Sequence, residues 1–145
     1  MNISAKSRYA VSALIELADR ATTDPGRPIR LTDIAHGREI PLQFLEQLFA
    51  TLRRAGVLRS RRGAAGGYSF ARSPEAVTVL AVVAVLDGVA KPQPAAEAGA
   101  EGEPGVVSIW TEVEAAVADV LGRTTIADLL ERERLAQKHS SMYYI

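Results

Sequence analysis

The order of elements implied by residues 31–70 constrains this chain more than any other feature. The stretch reads LTDIAHGREIPLQFLEQLFATLRRAGVLRSRRGAAGGYSF. Thr32 and Asp33 suit the start of a short helix, which the pattern ends near Gly37 in a tight glycine-containing turn. Pro41 fits the first position of a second helix, where its missing N–H costs nothing. Phe44, Leu45, Leu48, Phe49 and Leu52 recur at helical spacing and predict that helix's buried stripe. Gly56 stands where such a helix usually stops. Strands are predicted over 57–61 and 67–70, around an Arg- and Gly-rich tip over 62–66. Helix, turn, helix and hairpin in that order make a winged helix-turn-helix. The expected fold class is mainly α with a small β-wing, extended by a long dimerisation helix.

The flanking sequence fits this reading. Ser4 can cap a first helix running to about residue 21, with Tyr9, Ala13, Leu14, Leu17 and Ala18 on one buried face. Residues 22–27 read as a loop, and 28–30 as a short strand pairing with the wing. Ser73, Pro74 and Glu75 predict the start of a fourth helix that continues through 81–86. Residues 88–105, rich in Ala, Pro, Gly and Glu, lack apolar periodicity and read as a flexible linker. Beyond it, Val106, Ile109, Trp110, Val113, Val117, Val120 and Leu121 share one stripe of a long helix ended by Gly122. Thr125 and Asp128 form a capping-box-like pair for a last helix. The expected division is a winged domain over 1–87, a linker over 88–105, a dimerisation helix and last helix over 106–135, and a polar tail over 136–145.

Net charge is zero, but the charge is unevenly spread. Residues 1–73 carry twelve Lys and Arg against six Asp and Glu, leaving +6, and the remainder carries five against eleven, leaving −6. A basic half joined to an acidic half suggests a nucleic-acid-facing module and a solvent- or partner-facing one. The chain has no cysteine, which excludes disulfides, thiol redox sensing and thiolate-bound metal. His36 and His139 show no ligand-like spacing, and no nucleophile–base pattern stands out, so neither a metal, a cofactor nor a catalytic residue is expected. No apolar run is long enough to span a bilayer, and the N-terminus lacks the apolar block of a signal peptide, so a cytoplasmic location is expected.

With its stripe buried, the third helix turns Gln43, Glu46, Gln47, Ala50 and Arg54 outward. Gln can bond adenine bidentately and Glu can accept from the cytosine amino group. The hairpin carries Arg59, Arg61 and Arg62, which suit phosphates or a minor groove. A nucleotide-cradling loop is the rival reading, but the Lys-Ser/Thr ending it needs is missing. Backbone N–H groups at the start of the first helix, assisted by Lys6 and Arg8, could bind a DNA phosphate. The Val106–Leu121 stripe suits either plain core packing or a second subunit, and its distance beyond a linker favours homodimerisation.

Three motifs carry a family likeness: Ser4-Ala5-Lys6-Ser7-Arg8-Tyr9-Ala10, Phe44-Leu45-Glu46-Gln47-Leu48-Phe49, and Leu52 to Leu58 followed by Arg61-Arg62-Gly63 and Gly66-Gly67-Tyr68. Together they resemble the Rrf2 family of bacterial transcription regulators. The resemblance implies a homodimer acting on palindromic double-stranded operators. It implies Gln43, Phe44, Glu46 and Gln47 as recognition-helix contacts, Arg62 as the wing contact, and Lys6, Arg8 and Tyr9 as first-helix contacts. Many members hold an iron–sulfur cluster through three cysteines after the fourth helix; here that segment is 88–105, and it has none. Met142-Tyr143-Tyr144-Ile145 resembles the tail of the family's cysteine-metabolism repressor branch. That likeness implies cysteine synthase (O-acetylserine sulfhydrylase) as a partner of Tyr143, Tyr144 and Ile145. A terminal Ile presents an apolar side chain and a carboxylate together, which suits an amino-acid pocket. One buried Ile supplies only about 2–3 kcal/mol, so the tyrosines or a second surface must add to it. A regulator gated by a small molecule near Trp110, and a tail-mediated inhibitor of the synthase, are the alternatives.

Overall fold

The computed structural model describes residues 3–88 and 104–143. Six helices and a two-stranded hairpin occur among them, in the order α1 (Ala5–Thr23), α2 (Leu31–Arg38), α3 (Leu42–Arg54), β1 (Leu58–Arg61), β2 (Gly67–Phe70), α4 (Val79–Asp87), α5 (Pro104–Arg123) and α6 (Ile126–Tyr143). The arrangement is the winged helix-turn-helix expected from the sequence.

The core forms where the apolar faces of α1, α3 and α4 meet. Ala10, Ala13, Leu14, Leu17 and Ala18 of α1 pack against Leu45, Leu48, Phe49 and Leu52 of α3, with Ile34 of α2 and Val57 closing the ends. Three alanines on the α1 face let neighbouring helices approach closely. Phe49 is fully buried, and cutting it to Ala would cost about 3–5 kcal/mol. Ile126 and Leu130 bring the start of α6 into the same core. α6 then continues through the stretch read as a polar tail, remaining helical to Tyr143.

The turn of the helix-turn-helix differs from the glycine-containing one expected. Gly37 lies inside α2, and the left-handed residue is Glu39, at φ 54° and ψ 42°. Gly37 serves packing instead: a Cβ there would stand 3.2 Å from the side chains of Glu16 and Arg20. Helix α2 also begins at Leu31, with Arg30 as its N-cap residue, and Pro41 precedes the first residue of α3 rather than occupying it.

The helix predicted from Pro74 onward is broken. Pro74–Ala76 makes one 3-10 turn, Val77 is extended, and Thr78 caps α4 by accepting from the Ala81 N–H at 3.1 Å. Long-range pairing explains the break. The Ile126 N–H donates to the Val77 carbonyl and the Val79 N–H to the Thr124 carbonyl, both at 2.9 Å. Val77 and Thr78, the two extended residues, are β-branched and tolerate that backbone well.

Helix α5 begins at Pro104 and passes through Gly122, so neither Pro104 and Gly105 nor Gly122 acts as expected from the sequence. A Cβ at Gly122 would sit 3.4 Å from Leu80 Cδ2, which marks the α4–α5 contact. The capping box at the start of α6 is present: the Thr125 N–H donates to Asp128 Oδ2 at 2.9 Å, and the Asp128 N–H to Thr125 Oγ1 at 3.1 Å. Hydrogen bonds from the Thr125 backbone and side chain hold the Asp128 carboxyl below its ordinary pKa. Apart from Gly88, Pro104 and Gly105, the linker lies outside the described residues.

Candidate nucleic-acid interface

Burial of Leu45, Leu48, Phe49 and Leu52 fixes the rotation of α3. Gln43, Glu46 and Gln47 are left exposed on its N-terminal half. In helix-turn-helix docking, that half of the helix reaches base edges. Arg54 is exposed at the other end of α3, where its Nη2 donates to Thr51 Oγ1 at 3.3 Å. Arg54 lies eleven positions after Gln43, about 16 Å along the axis, so the two face different parts of any ligand.

Phe44 is half-buried against the core, and its ring meets Tyr9 edge-on, with centroids 5.6 Å apart and planes at 88°. Both are expected DNA contacts, and Tyr9 stays 44 % exposed. The ring pair also joins α1 to α3. Lys6 and Arg8 are exposed on the first turn of α1, just before that joint. Their helix start is held by Asp87, whose carboxylate accepts from Ser4 Oγ, from the Ser4 N–H at 3.1 Å and from Ser7 Oγ at 2.7 Å. Ser4 Oγ in turn accepts from the Ser7 N–H at 3.2 Å. Burial pushes the Asp87 carboxyl pKa up, but the bonds from Ser4 and Ser7, with the charge of Lys6, outweigh this and hold it below the usual value.

The wing lies beside α3. Its strands pair antiparallel, Leu58 opposite Phe70 and Arg61 opposite Gly67. Leu58 turns inward, while Arg59 and Arg61 are exposed. Tyr68 packs edge-on against Phe49 of α3 at 5.2 Å and 76°, and Arg53 Nη1 donates to Ser60 Oγ at 3.2 Å. Of the short strand expected over 28–30, only an isolated bridge forms, Ile29 exchanging two backbone bonds of 2.8 Å with Tyr68. That approach requires a glycine at position 67, because a Cβ there would collide with the Ile29 carbonyl. Between α3 and the wing runs a groove lined by Arg30, Leu42, Glu46, Ser60, Arg61 and Ala64. Glu46 and Arg61, singled out in the sequence, therefore line one concavity. Arg62 is exposed at the tip.

Two features escaped sequence reasoning. Arg30 enters the groove from the start of α2, and its only signal was a position directly after Ile29. Asp87 lies 83 residues from Ser4, and nothing local in the sequence announces their bond.

Helix α5 has no buried residue. Ile109, Trp110, Val113 and Val120 are exposed, Trp110 by 59 %, whereas Val106, Val117 and Leu121 are half-buried. Met142 is exposed near the end of α6. The Tyr143 side chain, Tyr144 and Ile145 lie outside the described residues. No helix among the described residues is long and apolar enough to cross a membrane.

A family model for Rrf2, described as an iron-dependent transcriptional regulator, matches residues 3–132. The chain is 35 % identical to the HTH-type transcriptional regulator CymR of Bacillus subtilis over 145 residues, the full length of both. It is 30 % identical to the regulator IscR of Erwinia tasmaniensis over 138 residues, covering 93 % of this chain and 82 % of that one. Among solved structures, CymR, "the Global Cysteine Regulator of B. subtilis", superposes with a TM-score of 0.79 at 36 % identity, covering 91 % of this chain and 98 % of that one. IscR of T. potens superposes with a TM-score of 0.77 at 34 % identity, covering 94 % and 91 %. The iron of the family description finds no thiolate here, since the chain lacks cysteine. Nor do three or more His, Asp or Glu gather in a metal-holding group among the described residues. The residues present do not fit a resident iron centre of that kind.

Proposed function

This chain belongs to the Rrf2 family of transcriptional regulators, and from that premise we propose that it is a homodimeric, sequence-specific repressor of sulfur and cysteine metabolism genes, acting in the cytoplasm. It is a DNA-binding regulator and not an enzyme. The observation that carries the proposal is the shared groove: the polar face of α3 and the cationic wing border one concavity, with Glu46 and Arg61 along it.

Each residue then has a role. Gln43 and Gln47 read base edges in the major groove, with adenine as the favoured partner, and Glu46 accepts from a cytosine amino group. Arg61 and Arg62 on the wing, and Arg54 at the far end of α3, hold phosphates. Lys6 and Arg8 hold a further phosphate at the start of α1. Tyr9 and Phe44 act together, fixing α1 against α3 so that the two sets of contacts keep their spacing.

The α5 stripe of Val106, Ile109, Trp110, Val113, Val117, Val120 and Leu121 pairs with that of a second copy. Fully burying each large side chain would contribute about 1.5–3 kcal/mol, enough in sum for a stable dimer. A two-fold dimer would set its recognition helices about 34 Å apart, or a multiple of that, on a palindromic operator.

Sulfur status enters through the tail. Tyr143, Tyr144 and Ile145 dock in cysteine synthase, and the substrate O-acetylserine competes with Ile145 for the pocket. The support is the resemblance of the tail and the full-length likeness to CymR. A genome-wide footprint of the tagged protein tests the regulatory assignment, with occupied sites expected upstream of sulfur-assimilation genes. Titration of the synthase with the full chain and with a form lacking the last four residues tests the tail. Equal binding by both forms would remove the synthase from the account.

A further inference from the structure

The wing tip has almost nothing of its own to hold it. Residues 62–66 read Arg-Gly-Ala-Ala-Gly, and the strands below it are four residues each. The tip carries one backbone bond, the Gly66 N–H to the Gly63 carbonyl at 3.0 Å. Ala64 and Ala65 are exposed and too short to anchor anything. A two-stranded hairpin alone is marginal in water, and a glycine-rich tip adds conformational freedom that must be lost on binding.

Arg30 supplies the missing anchor. Its Nη2 donates to the Ala64 carbonyl at 2.6 Å, across 34 residues of sequence. Arg30 is also the N-cap residue of α2 and follows Ile29, whose backbone is bridged to Tyr68. The hairpin is thus tied to the helix-turn-helix frame twice, by Ile29 one pair below the strands' upper end and by Arg30 at the tip itself. Arg61 and Arg62 lie between the two ties.

We propose that Arg30 is a positioning residue for DNA binding: its guanidinium fixes the wing tip so that Arg62 meets the duplex already ordered. This rests on the DNA-binding reading of the wing. A planar fork of donors suits the task, since one N–H can hold the carbonyl while the others still face the groove. Preordering a loop raises affinity by lowering the entropy lost on contact.

The test uses the full chain with Arg30→Gln and Arg30→Lys. Hydrogen exchange of the free protein is read first, at the Gly66 amide. Arg30→Gln is expected to speed that exchange severalfold while exchange in α1 and α3 stays unchanged. Operator titration follows, with Arg62→Ala made in both backgrounds. Loss of a hydrogen bond to a charged group corresponds to about a tenfold drop in operator affinity for Arg30→Gln. Arg62→Ala should then cost much less in the Arg30→Gln background than in wild type. Unchanged Gly66 exchange, or additive losses in the double variant, would overturn the proposal. So would full recovery of affinity by Arg30→Lys with the tip still exchanging fast, because Arg30 would then act as a bare charge. Lack of operator binding by the wild-type chain defeats the DNA reading itself, which the exchange experiment on free protein distinguishes.

Discussion

Arg38 grips Glu133 with two parallel hydrogen bonds, Nη1 to Oε1 at 2.8 Å and Nη2 to Oε2 at 2.9 Å, while its Nε donates to Glu16 at 3.2 Å. The end of α2 is thereby clamped between α1 and α6. The Glu133 bond is the main reason the guanidinium holds its proton more tightly than usual, and the neighbouring Glu16 adds to it. The Arg38 side chain is 19 % exposed, so water competes little for it. Arg38→Met is expected to lower stability by about 1–2 kcal/mol, because the half-sheltered carboxylates lose their shared partner. Glu133→Gln should cost less, since Glu133 is more exposed and better screened. Urea denaturation of both variants checks this, and equal midpoints with wild type would show that the clamp contributes nothing.

Asp87 makes the start of α1 sensitive to acid. Its folded pKa is depressed, so its contribution to stability is complete above the unfolded value, about 3.9, and fades as pH falls through the folded one. Asp87→Asn should therefore flatten the loss of stability below about pH 4 while leaving a smaller stability at neutral pH. Ser7→Ala, which removes one donor from a fully buried position, should cost about 1 kcal/mol and shift the acid limb in the same direction. Thermal melts between pH 3 and 7 read both effects. An acid limb in Asp87→Asn that overlays wild type would show that another carboxylate controls it.

A charge placed in the α5 stripe should separate the subunits of the proposed dimer. Val113 is exposed in the single chain, between Trp110 and Val117 on the same stripe. In the proposed dimer, Val113→Asp would bury an unpaired carboxylate, a change worth several kcal/mol. Sedimentation velocity should find this variant monomeric at concentrations where wild type is a dimer, with helical content unchanged. A dimer of undiminished strength would move the interface elsewhere.

The sequence was most legible where structure is local. The α3 stripe, Gly56, the second wing strand and the Thr125–Asp128 cap each depend on residues a few positions apart, and each is readable; the first wing strand begins at Leu58, one residue later than expected. What escaped depends on distance. Val77 and Thr78 leave the helical path where Val77 and Val79 bond to Ile126 and Thr124, which no window around Pro74 contains. Glu39 takes the left-handed turn that a glycine was expected to supply, while Gly37 lies inside α2 against Glu16 and Arg20. The candidate site shows the same divide. Glu46 and Arg61 could be named from their own helix and strand, whereas Arg30, Asp87 and the Tyr9–Phe44 joint required the folded chain.

The central claim is that α3 and the wing bind one duplex together, α3 reading bases and the wing holding the backbone. Operator titrations over a range of salt, with Gln47→Ala and Arg62→Ala compared on the native site and on sites with single base changes, test it most directly. Arg62→Ala should weaken binding to all sites alike and lower the slope of log affinity against log salt by about 1. Gln47→Ala should cost about 1–3 kcal/mol on the native site, lose discrimination at one base pair and keep the salt slope. Native affinity, specificity and salt slope in both variants would contradict the account.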